Sequence, residues 1–261
     1  MTIKWLGANS NNFQVGRSGN KIDKVVLHWI VGKLAAADST FQNPERIASA
    51  HYGIGHTEVH QYVREEDTAY HAGNLTVNRQ SIGIEHEGGP DLPISEDTHK
   101  TSIELVTDIC RRYSIPADRQ HILKHSEIKA TQCPGTLDID RIIREVQIRL
   151  DKFTQDNVKI LTDQIEKLQG QISQTQKALS GVEAERDAAR EERNKALSNV
   201  CPDPSVHSGS NSSDHTGSDT PVIVPDIDDS SVSSDTQTSK QKNFIQKLIN
   251  ALIKFLKEML K

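Results

Sequence analysis

Aromatic residues are scarce in this 261-residue chain, at 4%, and hydrophobic residues make up only 34%. One domain usually takes about 100 to 200 residues, so one packed domain with attached segments is the expectation. Neither sign of charge dominates the chain as a whole. The formal net charge of −5 gives no reason to expect a nucleic-acid partner. Cysteine is rare too: Cys110, Cys133 and Cys201 cannot close a disulfide framework, which points to free thiols or a metal ligand. No apolar run of signal-peptide length opens the chain, and no stretch approaches the roughly 18 apolar residues of a spanning helix.

What is present falls into four segments. Residues 1–150 alternate strand and helix patterns with Gly and Pro punctuation, as an α/β (α+β) domain should, with a central mixed sheet flanked by helices. Val25 to Ile30 reads as a buried strand, His51 to Val63 as a strand or hairpin, Ser81 to Glu85 as a strand and His121 to Leu123 as a last strand. Asn43-Pro44-Glu45 has the residues that open a helix, Asn at the cap and Pro in the first turn. Ile103, Val106, Ile109, Cys110 and Tyr113 keep the spacing of a helix facing the core, and Leu137 to Leu150 is expected to close the domain.

Residues 151–199 change texture. Val158, Leu161, Ile165, Leu168, Ile172, Leu179 and Val182 follow 3-4 spacing, with Thr175 in one apolar place. That register puts Arg186 and Arg193 at later core places, which predicts a coiled coil of modest stability and a homo-oligomer; a solitary solvated helix or a hairpin is the alternative. Residues 200–239 form an acidic Ser-rich linker, expected to be disordered because it buries too little apolar surface to offset its ordering entropy. Residues 240–261 carry six lysines and one glutamate, 6 − 1 = +5, and Ile245, Leu248, Ile249, Leu252, Phe255, Leu256, Met259 and Leu260 share one helical face. A cationic amphipathic helix of this kind seeks a membrane surface. Docking on the first segment or self-association is the competing reading.

The residues that carry chemistry lie in the first segment. His28 ends a strand, His125 follows another, and Cys133 comes eight residues later. Two imidazoles and a thiolate suit Zn2+, and three protein ligands leave the fourth position open, as a catalytic site needs. In a chain with 11 histidines that pattern is weak alone.

Five pieces in order strengthen it: Val26-Leu27-His28, Ala48-Ser49-Ala50-His51-Tyr52, Ala69-Tyr70-His71-Ala72-Gly73-Asn74, Ser81-Ile82-Gly83-Ile84-Glu85 and His125 to Gly135. Together, over residues 24 to about 140, they resemble the zinc amidase family shared by phage lysozyme-like amidases, bacterial N-acetylmuramoyl-L-alanine amidases and peptidoglycan recognition proteins. The resemblance implies Zn2+ on His28, His125 and Cys133, with Glu85 as the carboxylate that takes a proton from the attacking water. Many relatives carry Asp in place of Cys133, and relatives without catalysis often carry Ser. Thr131 stands where many carry an oxyanion-stabilising lysine; Lys129 is a nearby substitute. His71 and Asn74 are expected at the substrate groove, although His71 reads equally as a packed histidine holding a loop. His51 is expected to be structural, Tyr52 and Cys110 to be core, and His56, His60, His86, His99 and His121 to be surface or groove residues.

The expected function is hydrolysis of the amide between N-acetylmuramic acid and L-alanine in peptidoglycan. The chain would accumulate in the cytoplasm without a signal peptide and act on the wall after release, as an endolysin does. Two alternatives stay open: a non-catalytic peptidoglycan receptor, and a membrane-perturbing coiled-coil protein with the amidase as passenger.

Overall fold

The computed structural model describes residues 2–200, together with Lys247 and Ala251, with side chains described as far as residue 199. Apart from Val200, Lys247 and Ala251, the linker expected over 200–239 and the amphipathic helix expected over 240–261 lie outside the described residues. Two compact units divide the chain, residues 1–154 and 155–261.

In the first unit the strands are β1 (Ile3–Trp5), β2 (Phe13–Gln14), β3 (Lys24–Trp29), β4 (Tyr52–Gly55), β5 (Glu58–Gln61), β6 (Thr68–Ala69), β7 (Ser81–His86) and β8 (Ile122–Lys124). Six of them make a mixed sheet in the order β1-β5-β4-β7-β3-β8, and β2 pairs with β6 beside it. Only the β4–β5 hairpin is antiparallel within the large sheet. β3 has parallel neighbours on both edges, and its Lys-Val-Val-Leu-His-Trp sequence is the near-continuous apolar run that a strand covered on both faces needs.

The helices are α1 (Leu34–Gln42), α2 (Leu75–Gln80), α3 (Glu96–Tyr113) and α4 (Ile139–Val200). Ser95 caps α3, its hydroxyl oxygen accepting from the Thr98 N–H at 3.1 Å. Acidic Glu96 and Asp97 sit in its first turn and Arg111 and Arg112 in its last, each complementing the helix dipole. Ile103, Val106, Ile109 and Cys110 of α3, with Ile139, Ile142 and Val146 of α4, cover one sheet face through Val25, Leu27, Ile82 and Ile84. Each fully buried aliphatic side chain there contributes about 1.5 to 3 kcal/mol. A smaller cluster, Ala37, Phe41, Ala50, Tyr62, Val63 and Ala69, builds up on residues of α1, β6 and the loop after β5.

Two helical expectations need correction. Asn43-Pro44 does not start a helix; Asn43 ends α1, its N–H bonded to the Thr40 carbonyl. Its Oδ1 turns back to accept from the Glu45 N–H, and its carbonyl accepts from Asn12 Nδ2, so the local turn and a distant partner take the groups a cap would use. The helix expected to end at Leu150 runs on through residue 200. Neither proline nor glycine stands near Leu150 to stop it.

In the second unit the described part of α4 is mostly solvent-facing, although Val158 of the 3-4 stripe is buried. Leu161, Leu168, Leu179 and Val182 of the 3-4 stripe are exposed. Among the described residues no helix is long and apolar enough to cross a membrane.

Candidate metal centre

The sheet turns its other face to the chemistry. In β7, Ile82, Ile84 and His86 alternate with Ser81, Gly83 and Glu85; in β3, Val25, Leu27 and Trp29 alternate with Val26 and His28. The register pairs His28 with Glu85, and Glu85 with Gly53 of β4, so the imidazole and the carboxylate stand side by side on one face.

The two remaining ligand candidates arrive from the loop after β8. His125 opens a 3-10 turn, His125–Glu127, whose Glu127 carboxylate accepts the Lys124 N–H at 2.6 Å. The Ser126 N–H donates to the Cys133 carbonyl at 2.9 Å, folding the loop back toward β3. Gly135 completes the bend at φ +60°, and a Cβ there would lie 2.1 Å from the Trp29 ring. Only glycine lets the loop close over Trp29. The Trp29 N–H then reaches Cys133 Sγ at 3.4 Å.

One ligand atom each from His28, His125 and Cys133 lie within 4.8 Å of one another. Sγ of Cys133 is 3.7 Å from Nδ1 of His28, and the rings of His28 and His125 are 4.5 Å apart. Two buried atoms here have no hydrogen-bond partner among the described residues: Nε2 of His125 and Oε2 of Glu85. Such orphans carry a desolvation cost unless a ligand engages them.

Electrostatics agree with that need. Burial pushes the Glu85 carboxyl up to about 8. Burial also pushes the Cys133 thiol up to about 12, with nearby Glu85 adding to it and the Trp29 N–H opposing it. A thiolate at Cys133 therefore needs a positive charge beside it. Burial first, then the neighbouring histidines, keep His28 well below the usual imidazole range, so its ring is neutral and can donate a lone pair. Two neutral imidazoles, a thiol and an unpaired carboxyl fit a divalent cation of zinc type.

The other expected residues fall at varied distances from this cluster. Thr131 is exposed beside Cys133, and its hydroxyl oxygen accepts the Cys133 N–H at 3.2 Å. Asn74 is exposed and caps α2, accepting from the Val77 N–H at 3.2 Å. His71 is only 9% exposed and packs against His28, with 3.1 Å between its Nδ1 and Nε2 of His28. Lys129 lies across Gly73, whose Cβ would sit 2.9 Å from its stem. His51 is buried, and its Nδ1 accepts the Gly83 N–H at 2.9 Å, which ties the junction before β4 to β7.

Three histidines expected at the surface or in the groove are buried instead. His86 is fully enclosed, its ring 2.7 Å from the His28 carbonyl and 2.8 Å from the Ser102 hydroxyl. His60 meets Asp38 at 2.8 Å, and His99 Nε2 lies 3.3 Å from the Asp138 N–H. Sequence reading also passed over Arg17 and Asn78. The Arg17 guanidinium donates to the carbonyls of Glu65, Asn78, Arg79 and Ser81, and Asn78 Oδ1 accepts from the His71 and Ala72 N–H groups. No local pattern announces either, because Arg17 bonds to residues 48 to 64 positions away.

Residues 18–136, the stretch that holds His28, Glu85, His125 and Cys133, match the model of the N-acetylmuramoyl-L-alanine amidase family, Amidase_2. Over that stretch the N-terminal unit is similar to this amidase family. A Bacillus licheniformis protein named "Probable N-acetylmuramoyl-L-alanine amidase" is 30% identical over 148 residues, 48% of this chain and 41% of that protein. N-acetylmuramoyl-L-alanine amidase A of Achromobacter lyticus is 40% identical over 86 residues, 32% of this chain and 46% of that one. The chain thus spans less than half the length of these curated relatives. Among solved structures, a mutant endolysin from Bacillus subtilis covers 56% of this chain and 99% of its own, at 20% identity and a TM-score of 0.49.

Proposed function

We propose that the N-terminal unit is a zinc amidase of peptidoglycan, cutting the amide that joins N-acetylmuramic acid to L-alanine. The observation that carries this reading is the convergence of His28, His125 and Cys133 within 4.8 Å beside the unpaired, buried Oε2 of Glu85. His28, His125 and Cys133 would hold the ion. Bound there, zinc supplies a Lewis acid for the scissile carbonyl and lowers the pKa of water near it.

The chain's own groups do the rest. Glu85 takes the proton of the attacking water and returns it to the departing amine; burial alone raises it to about 8, and the cation beside it would hold it ionised for the first transfer. Thr131 uses its oxygen to accept the Cys133 N–H, which leaves its hydroxyl proton for the developing oxyanion. Asn74 stands on the exposed rim for substrate. His71 was expected at the groove, but its burial leaves little surface for substrate, and its contact with His28 favours a supporting role.

The remaining segments extend the reading to an endolysin. The exposed stripe of Leu161, Leu168, Leu179 and Val182 supports self-association through 153–199. The charge and pattern of 240–261 support a membrane-surface contact. Action on the wall would follow release from the cytoplasm.

The test is the release of free amino groups from purified peptidoglycan by the full chain, with and without a chelator. Activity lost to the chelator and restored by zinc is expected, as is its absence in Glu85→Ala. A folded, zinc-loaded protein that releases nothing would turn the assignment toward a peptidoglycan receptor.

A further inference from the structure

Behind His28 runs a line of hydrogen bonds that ends on the backbone of α2. Ser81 Oγ is 2.6 Å from the Val77 carbonyl, which can only accept, so the hydroxyl proton is committed there. The same oxygen lies 3.2 Å from Nε2 of His71. With its proton spent, Ser81 Oγ accepts, and Nε2 of His71 is the protonated nitrogen. A neutral imidazole has one N–H, so Nδ1 of His71 is an acceptor, and it faces Nε2 of His28 at 3.1 Å. His28 must then carry its proton on Nε2. Its Nδ1 lone pair is left facing Cys133 Sγ, on the side where the three ligand candidates meet.

The pieces around this line hold it in place. Gly83 carries no side chain under His71; a Cβ there would stand 2.4 Å from the ring. Asn78 Oδ1 fixes the His71 and Ala72 N–H groups, and the Ser81 carbonyl accepts from Arg17. His28 and His71 are 1% and 9% exposed, so the line between them is largely closed to bulk water.

We infer that Ser81 and His71 are positioning residues that fix His28 in its Nε2–H tautomer, so that Nδ1 is the nitrogen offered to the metal. This rests on the amidase-family reading for the identity of the metal site, but not on the substrate. A neutral imidazole in the other tautomer would present an N–H to the cation and would have to flip or lose a proton before binding. Partners behind a ligating histidine typically account for about 10- to 100-fold in metal affinity.

The test uses the full chain and zinc alone. Zinc affinity is measured by chelator competition, and the His28 tautomer by the 15N shifts of its ring in zinc-free protein. Wild type should show His28 protonated at Nε2. Ser81→Ala and His71→Ala should weaken zinc about 10- to 100-fold, with Ser81→Ala mixing the two tautomers. Ser81→Thr keeps the hydroxyl, and His71→Asn keeps an acceptor near the Nδ1 position; both should stay within a few-fold of wild type. Wild-type zinc affinity in both alanine variants would overturn the inference, as would a wild-type His28 protonated at Nδ1. The second readout needs no variant, so poor folding of His71→Ala leaves the answer intact. Peptidoglycan enters neither readout: zinc and tautomer results as expected without amide cleavage would remove the amidase reading and leave this one standing.

Discussion

The two faces of one sheet are made by the same strands and meet opposite demands. Toward α3 and α4, β3 and β7 present Val25, Leu27, Ile82 and Ile84, all fully buried among apolar neighbours. Toward the loops they present His28, Gly83 and Glu85, with Gly53 beside them on β4. The first face lowers the free energy of folding. The second holds a carboxyl raised to about 8 and a ring nitrogen without a partner, both of which cost stability unless a cation and substrate engage them. Alternation with period two lets six-residue strands carry both, because a side chain on one face is insulated from those on the other.

The sharpest way to break that comparison is to change one face and look for the effect on the other. Glu85→Gln removes the proton acceptor and should lower kcat by about 100- to 10,000-fold. The same change removes a buried ionisable group without partners, so the melting temperature should hold or rise. A lost fold would instead place Glu85 in the structural half. Ile84→Ala, its neighbour on the other face, should do the reverse, costing about 2 to 5 kcal/mol in urea unfolding while the folded fraction keeps its zinc affinity within a few-fold.

Acid should separate the faces next. His51 is held down to about 3 by burial, then by Arg17, and His86 to about 4 by burial. Both are neutral when folded and take up protons on unfolding once the pH drops below about 6.5. Their folded pKa values are depressed, so the unfolded chain binds more protons and stability falls as pH falls from about 6.5 toward 4. The slope is about 1.4 kcal/mol per pH unit for each histidine. Glu85, raised to about 8, opposes this trend over the same range, so urea midpoints at pH 7 and pH 5 are compared in Glu85→Gln, where equal midpoints would show that these two rings are not buried neutral.

Gly83→Ala costs less stability than Ile84→Ala and acts more locally. Its Cβ would stand 2.4 Å from the His71 ring, which must move, at a cost of about 1 to 3 kcal/mol. Zinc affinity should fall with it, whereas the same substitution at exposed Gly170, where a Cβ meets nothing, should leave zinc binding unchanged.

Much of the core face was legible in the sequence, because a buried strand or an amphipathic helix writes its period into adjacent residues. β3, β7, the β4–β5 hairpin and α3 all follow from such runs. The site face was legible only through family resemblance, since His28, Glu85 and Cys133 are 48 or more positions apart and no spacing rule joins them. What neither route could supply was pairing at a distance. His86 looks like a surface histidine until Ser102 and the His28 carbonyl are brought to it. Asn43-Pro44 looks like a helix start until Asn12 takes its carbonyl. The run of α4 past Leu150 is a different case: the apolar pattern changes there, but nothing in the residues breaks a helix.

The central claim is that His28, His125 and Cys133 form one metal site on the sheet's second face, and cobalt substitution tests it most directly. Cobalt bound at one equivalent should show a thiolate-to-metal charge-transfer band that vanishes in Cys133→Ser and persists in Cys110→Ser, whose thiol is buried among α3 residues. A band that survives loss of Cys133, or one equivalent of cobalt bound without any thiolate signal, would contradict the site described here.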